Sequence, residues 1–157
     1  MTNIYLKAAG LGVIAGARSM MAPALTSSYF TICPSLFLEA SPLKGIGSPK
    51  AANMLRLMAL GEIVGDKLPK TPNRTAPFPL AGRAASGGLC GAAVFLAEGK
   101  PAGIGAAVGA AAAVASAFVT YTLRRNLGQA TKIPDPAVAV AEDALMLGLG
   151  RAIFADG

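Results

Sequence analysis

The alternation of apolar and polar stretches divides the chain into five apolar segments joined by polar connections. The segments cover approximately residues 4–30, 51–68, 79–98, 102–123 and 137–154. Residues 102–123 contain no charged side chain, and as an α-helix they would be about 33 Å long at ~1.5 Å per residue. The hydrocarbon core of a bilayer is about 30 Å thick. The pattern therefore predicts helices that cross or enter a membrane.

The five segments differ in how well they suit a simple crossing. The first is too long for one span and holds Arg18 and Pro23, so a broken or re-entrant helix is expected there, and a similar interruption is expected in the third. The second and fifth are short and contain acidic residues, so they are either poor spans on their own or segments shielded inside a bundle. We therefore predict an all-α integral membrane protein, with residues 1–157 forming one transmembrane domain of about five short transmembrane or re-entrant helices.

The composition supports this prediction. The chain is 54% hydrophobic and 14% charged, with a mean hydropathy of +0.54, whereas soluble domains carry about 25% charged residues. The alternative is a soluble helical protein rich in alanine and glycine, but such proteins normally show a polar stripe at helical period. A protein whose surface faces lipid needs fewer charged and polar side chains than a soluble protein, which agrees with the low charged fraction of this chain.

Charge and motifs limit the possible partners and chemistry. The formal net charge is +6, and the basic residues lie mostly in the connections, where they would meet anionic lipid headgroups. No basic run is interleaved with aromatic residues, so we expect membrane lipids and not nucleic acid as partners. With no His and only Cys33 and Cys90, neither a metal site nor a cofactor is expected. The sequence contains no P-loop, H-E-x-x-H or G-x-S-x-G motif, which favours a non-enzymatic role and leaves catalytic residues unknown.

The distribution of basic residues predicts an orientation, provided that all five segments cross. One side then receives Lys7, Lys67, Lys70, Arg74, Arg124, Arg125 and Lys132, and the other receives Lys44, Lys50, Lys100 and Arg151. Because cytoplasmic loops are enriched in Lys and Arg, this excess places the N-terminus in the cytoplasm. A re-entrant first segment would change the parity.

Glycines four residues apart recur in four of the segments. The pairs are Gly12/Gly16, Gly61/Gly65, Gly87/Gly91 and Gly105/Gly109. This G-x-x-x-G spacing puts both glycines on one helix face, where two backbones can approach closely. The contacts would lie within the chain or between two chains. A homodimer is expected as well, because five short segments enclose little volume.

Charged residues inside the apolar segments are the candidates for function. They are Arg18, Glu62, Asp66, Arg83, Glu142 and Asp143. A charge at the bilayer centre costs about 2.5–3.5 kcal/mol on insertion scales, so these side chains should face the interior and pair with one another. Together with Ser19, a hydrogen-bond donor beside Arg18, they form our predicted substrate- or ion-binding set. The alternative is a group of ion pairs that only fixes the helix register.

A short similarity within the chain suggests an internal duplication. Gly16-Ala17-Arg18-Ser19 is similar to Ala81-Gly82-Arg83-Ala84, and each is followed further along by a pair of acids. Duplicated halves would place a binding site at their interface near the middle of the bilayer.

Several of these elements together resemble a known family. Gly16-Ala17-Arg18-Ser19 with Pro23, Glu62 with Asp66-Lys67-Leu68-Pro69, Pro72-Asn73-Arg74-Thr75, Gly82-Arg83 and Glu142-Asp143 are similar to the small bacterial multi-pass membrane proteins catalogued as domain of unknown function 4126. The resemblance covers most of the chain and implies a bacterial inner-membrane protein, without an activity to carry over. Glu62-x-x-x-Asp66 and the Gly/Arg/Ser element also resemble, more weakly, the undecaprenyl-phosphate phosphatases and flippases.

Three functions follow from these observations. We expect a small membrane transporter or channel-like protein in which Arg18 and Arg83 attract an ion or anionic solute and the acids balance them. One alternative is a flippase or phosphatase for a lipid phosphate of the polyprenyl type, with Ser19 as a phosphate contact. The other is a non-catalytic membrane scaffold.

Overall fold

A computed structural model describes residues 3–65, 76–130 and 135–155 of the chain, and every secondary-structure element in these ranges is helical. The all-α prediction is thus confirmed. A 3₁₀ turn at Lys44–Gly47 accompanies the α-helices. In chain order the α-helices are α1 (Ile4–Ala17), α2 (Met21–Ile32), α3 (Leu36–Glu39), α4 (Pro49–Gly65), α5 (Pro77–Ala97), α6 (Ala102–Ala130) and α7 (Asp135–Ala155).

The first apolar segment is broken, as expected, and folds into a hairpin of α1 and α2. Arg18 ends α1 with an extended backbone (φ −139°, ψ 108°). Pro23 lies in the first turn of α2, where a missing N–H leaves no helical hydrogen bond unmade. Lys7 near the start of α1 and Cys33 after the end of α2 line the same cavity, so the chain returns to the end from which it came. We call α1 and α2 the N-terminal hairpin and Arg18–Met20 its tip.

The hairpin defines two ends of the molecule. Its two arms are about 21 Å and 18 Å long at ~1.5 Å per residue, so neither is long enough to cross a bilayer core. The base end holds Lys7, Cys33 and Ala97, and the tip end is opposite. Because the first segment returns, the count of basic residues for five crossings does not apply to this topology.

The third segment is one continuous helix, α5, and the expected interruption at Arg83 is wrong. Arg18 lies in extended backbone, whereas Arg83 lies within the hydrogen-bonded turns of α5. The two similar sequence elements therefore have different local structures. An Arg inside a helix needs no break when its side chain can reach acceptors on a neighbouring helix.

Glycines allow α1, α5 and α6 to pack with their backbones close together. An added Cβ at Gly87 would collide with the carbonyl oxygen of Gly109, and one at Gly91 would collide with that of Gly105. Gly12 of α1 likewise lies against the backbone of α6 at Gly109. The close contacts are within the chain, as small residues at helix interfaces permit. Gly61 and Gly65 of α4, in contrast, have no such atom within 4 Å in the described part of the chain.

Small residues form much of the interior, and large apolar side chains are exposed on the surface. The buried core includes many alanines beside larger residues such as Leu11 and Phe95, and it also includes the fully buried Arg18. Two helices, Pro77–Ala97 and Ala102–Asn126, are long and apolar enough to cross a membrane. Large apolar side chains are exposed on each of the longer helices after the hairpin, among them Leu57 and Val64 on α4, Phe78 on α5, Val119 on α6 and Leu145 on α7.

Candidate functional site at the hairpin tip

The hairpin tip lies deep within the bundle. Gly16, two residues before Arg18, packs against Ala113 and Ser116. Ser116 is the midpoint of α6, which is the longest helix described. The tip is therefore placed about half-way along α6, where a bilayer would have its middle if α6 spans one.

Arg18 forms a buried ion pair with Asp143 of α7. The Nε of Arg18 lies 2.6 Å from Oδ1 of Asp143, and the two side chains are 1% and 13% exposed. A short contact between two charged groups is a strong hydrogen bond, because its electrostatic part is little screened in a dry interior. The prediction that charges within the apolar segments pair with one another is confirmed for these two residues.

Glu62 caps the N-terminus of α2. Its Oε1 accepts hydrogen bonds from the backbone N–H of Ser19 (2.9 Å) and from Oγ of Ser19 (2.8 Å), and its Oε2 accepts one from the backbone N–H of Met20 (2.8 Å). The first amides of a helix have no partner within the helix and carry partial positive charge, so they bind a carboxylate well. All three residues are half-buried, which makes this the most accessible part of the tip.

Arg83 satisfies the other helix end at the tip. Its Nη1 donates hydrogen bonds to the carbonyl oxygens of Gly16 and Ala17 at the C-terminus of α1, the second at 2.9 Å. A cation is favourable there because the last carbonyls of a helix carry partial negative charge. Ser86, one turn further along α5, donates from Oγ to the carbonyl oxygen of Ser19. Each end of the broken helix is thus held by a side chain of opposite charge.

A second ion pair, between Arg124 and Glu142, lies beside the first. Nη2 of Arg124 is 2.9 Å from Oε2 of Glu142, and Nε is 3.0 Å from the same oxygen. Adjacent acids of α7 therefore bind different arginines. The sequence prediction omitted Arg124, which was expected in a polar connection. Its place at the polar end of a long apolar segment gave no signal in the sequence that it pairs with α7.

Ser116 is a further polar residue that the sequence prediction missed. Its Oγ donates to the carbonyl oxygen of Val13 at 2.8 Å and ties α6 to α1. Only its place in a charge-free segment could have drawn attention to it. Of the seven predicted site residues, the structure brings together five around the tip, and Glu142 directly precedes one of them on α7. These five are Arg18, Ser19, Glu62, Arg83 and Asp143; Asp66 lies outside the described residues.

An apolar groove begins next to the tip and runs along the side of the bundle. It has a volume of about 330 Å³ and lies between α2 and α4, with Leu147 of α7 on its other side. Met21 and Ile63, at its tip end, directly follow Met20 and Glu62 in the chain. The groove therefore connects the polar tip with the outer surface of the bundle.

The described residues offer no group of three or more His, Cys, Asp or Glu side chains that could hold a metal ion. Cys33 is exposed and Cys90 is buried, and both are free thiols. Comparisons of the chain with family models, with curated proteins and with solved structures find no match. The resemblances based on the sequence elements therefore remain predictions, and the functional conclusion depends on the geometry of the tip.

Proposed function

We propose that this chain is an integral membrane protein that acts as a small transporter or channel-like protein, with the hairpin tip as its site for an ion or anionic solute. The membrane location is supported by the large apolar side chains exposed on α4 to α7 and by the charged residues buried among the helices. Contiguous exposed apolar surface in a monomer marks an interaction with a partner or a membrane. In a bilayer the same side chains would contact lipid, so their exposure would carry no hydrophobic penalty.

The observation that carries the proposal is the meeting of two helix ends inside the bundle. The C-terminus of α1 faces the buried Arg83 and the N-terminus of α2 faces the half-buried Glu62, about half-way along α6. Discontinuous helices in transporters use such ends, because unpaired amides bind anions and unpaired carbonyls bind cations away from bulk water. Irregular backbone at this depth is tolerated only where protein or a wet cavity surrounds it.

Glu62 supplies a way to admit an anion. In the present state its carboxylate accepts the three hydrogen bonds from Ser19 and Met20. When Glu62 takes up a proton it loses its charge and most of its attraction to these donors, which then become available to a solute oxyanion. Arg18 and Arg83 add positive charge behind them. One proton taken up for each anion admitted would couple the two species.

Flux through reconstituted vesicles tests the proposal. Purified protein in liposomes, exposed in turn to gradients of chloride, nitrate, phosphate and sulfate, should pass at least one of them with uptake of protons, read by a pH-sensitive dye inside. Glu62→Gln should abolish the proton uptake. The control is Glu98→Gln, an acid at the base end that is 42% exposed. Vesicles that pass none of these anions, in either direction, would refute transport of small anions.

A lipid phosphate is the second candidate, and the groove is the observation that favours it. The donors of Ser19 and Met20 lie at one end of an apolar groove that is open to the side of the bundle. A flippase or phosphatase for a polyprenyl phosphate would place the phosphate at the tip and the hydrocarbon chain in the groove. Release of inorganic phosphate from a polyprenyl phosphate, or its movement between leaflets, would distinguish this candidate from an anion transporter.

We also propose a bacterial inner-membrane location, and we keep the cytoplasmic N-terminus as the orientation to be tested, because the returning hairpin changes the count of basic residues from which it was predicted. Because Lys7 and Cys33 line one cavity, Cys33 is on the same side as the start of α1. A membrane-impermeant maleimide applied to intact spheroplasts should therefore leave Cys33 unlabelled, and permeabilised cells should label it. Labelling of the intact cells would reverse the orientation.

We further propose that the chain forms a homodimer through the outer face of α4. Gly61 and Gly65 have the spacing that closes helix interfaces elsewhere in the molecule, and a Cβ added at Gly61 would meet no atom of the described residues within 4 Å. Gly61→Leu should convert the dimer to monomer in native mass spectrometry from mild detergent, whereas Gly103→Leu, at an equally open glycine of α6, should not. A monomeric wild-type protein would contradict this assignment.

A further inference from the structure

Arg56 is a cation placed in the wall of the apolar groove. It lies on α4, opposite Ser28 of α2, and its Nε donates a hydrogen bond to Oγ of Ser28 at 2.9 Å. Within residues 3–65, 76–130 and 135–155, no carboxylate lies within ion-pair distance of Arg56. Each charged side chain at the hairpin tip has a charged or backbone partner. Among the described residues, the exposed Arg56 instead has the neutral hydroxyl of Ser28 as its hydrogen-bond partner. A guanidinium beside apolar surface is stabilised when an anion accepts its remaining N–H groups.

The position of Arg56 along the groove agrees with the geometry of a lipid. Ser28 is seven residues after Met21, which places Arg56 about 10 Å from the tip towards the base end, at ~1.5 Å per residue. Lys44 and Lys50 lie further in the same direction, before α4 and at its start. A long arginine side chain extends its charge towards the nearer interface. From Arg56 the groove then runs inwards, as an acyl chain does.

We propose that this groove holds one acyl chain of an anionic phospholipid from the leaflet at the base end, with the lipid phosphate bound by Arg56. The proposal rests on the membrane location proposed above and not on transport. Two features select a lipid: the groove offers almost entirely apolar contacts to a chain, and its single cation is at the end where a headgroup would lie. A second copy of the chain would need an acid to face Arg56, and the outer face of α4, through which the dimer is proposed, presents apolar side chains such as Leu57.

Lipid retention by the purified full-length protein tests the inference. Protein in mild detergent is titrated with phosphatidylglycerol or with phosphatidylcholine of the same acyl chains, and binding is read by native mass spectrometry. The wild type should bind phosphatidylglycerol more tightly. Arg56→Gln should weaken that binding about ten-fold, the equivalent of one charge-assisted hydrogen bond, and should leave phosphatidylcholine unchanged. Arg56→Lys should keep most of the preference.

Two further arms identify the source of the phosphate and the role of the groove. Ala59→Trp, which fills the groove, should weaken both lipids, while Arg151→Gln on exposed α7 surface should weaken neither. Equal phosphatidylglycerol binding by wild type and Arg56→Gln would overturn the proposal. Equal binding of glycerol phosphate, which has no acyl chain, would make this a site for free phosphate and overturn it as well. Anion flux that persists in Arg56→Gln while the lipid is lost would separate this site from the hairpin tip.

Discussion

The buried pair of Arg18 and Asp143 allows a sharp test of what the charges at the hairpin tip contribute to stability. The perturbation is a set of three variants: Arg18→Met, Asp143→Leu, and the two combined. Met and Leu have apolar side chains of suitable length and volume. Each single variant removes one charge of the pair, and the double variant removes both.

The expected magnitudes follow from burial. Arg18 is 1% exposed and its partner 13%, so each single variant leaves the other charge in a dry environment. Breaking a buried ion pair in this way costs about 3–5 kcal/mol, whereas replacement of both partners by apolar residues is often neutral or stabilising by about 1–4 kcal/mol. The double variant should therefore be more stable than either single one, with a coupling energy of several kcal/mol.

The assay is reversible unfolding in detergent micelles, followed by the helical circular dichroism signal. A matched control is the pair of Glu98 and Lys100, whose side chains are 42% and 48% exposed at a distance of 3.2 Å. The same cycle there should give a coupling energy below about 1 kcal/mol. If the single variants at Arg18 and Asp143 lower the free energy of unfolding no more than the control variants do, then water screens the buried pair and the magnitudes expected from burial are wrong. A stable double variant that has lost flux would assign the two charges to function, and one that keeps flux would limit them to a structural role.

Three further outcomes are expected. Gly87→Val should cost about 1–3 kcal/mol, because its methyl groups would overlap the backbone of α6. Gly103→Val, where an added Cβ meets no atom within 4 Å, should change the free energy of unfolding by no more than about 0.5 kcal/mol in the same assay, and equal costs would contradict the glycine packing. Ser116→Val should cost about 0.6 kcal/mol, the typical worth of a hydrogen bond between membrane helices, and no cost would mean that the bond is not formed. Maleimide should label exposed Cys33 in the folded protein and Cys90 only after unfolding, as read by intact-mass spectrometry, and equal labelling of both would contradict the burial of α5.

The helices and the break in the first segment could be predicted from local sequence. Apolar length sets where a helix can begin and end, and the predicted segment 79–98 became α5 at Pro77–Ala97. The break at Arg18 could be predicted because the segment was too long, held a charge and had Pro23 just beyond it. Such signals act over a few residues and do not depend on the rest of the fold.

The partner of each charge could not be predicted in the same way. Arg18 had several acids available in the sequence, and its pairing with Asp143 depends on how α7 is rotated against the hairpin. Arg83 shows the same limit more clearly, because its contacts are backbone carbonyls that exist only once Gly16 and Ala17 end a helix nearby. The glycine pairs also look alike in sequence, yet a Cβ at Gly61 of α4 would meet no described atom within 4 Å, whereas Gly87 packs against α6.

The close packing of α1 against α5 and α6 has a consequence for the order of events during synthesis. The hairpin is the first part of this sequence to be made, but Gly12 and Gly16 rest on a helix that is translated about a hundred residues later. At ~5–20 residues per second the ribosome reaches that helix about 5–20 s afterwards. During this interval the short arms and the charge of Arg18 have no partner from α5 to α7. The nascent hairpin therefore waits without these partners, and it enters the bundle only when the later helices have been made.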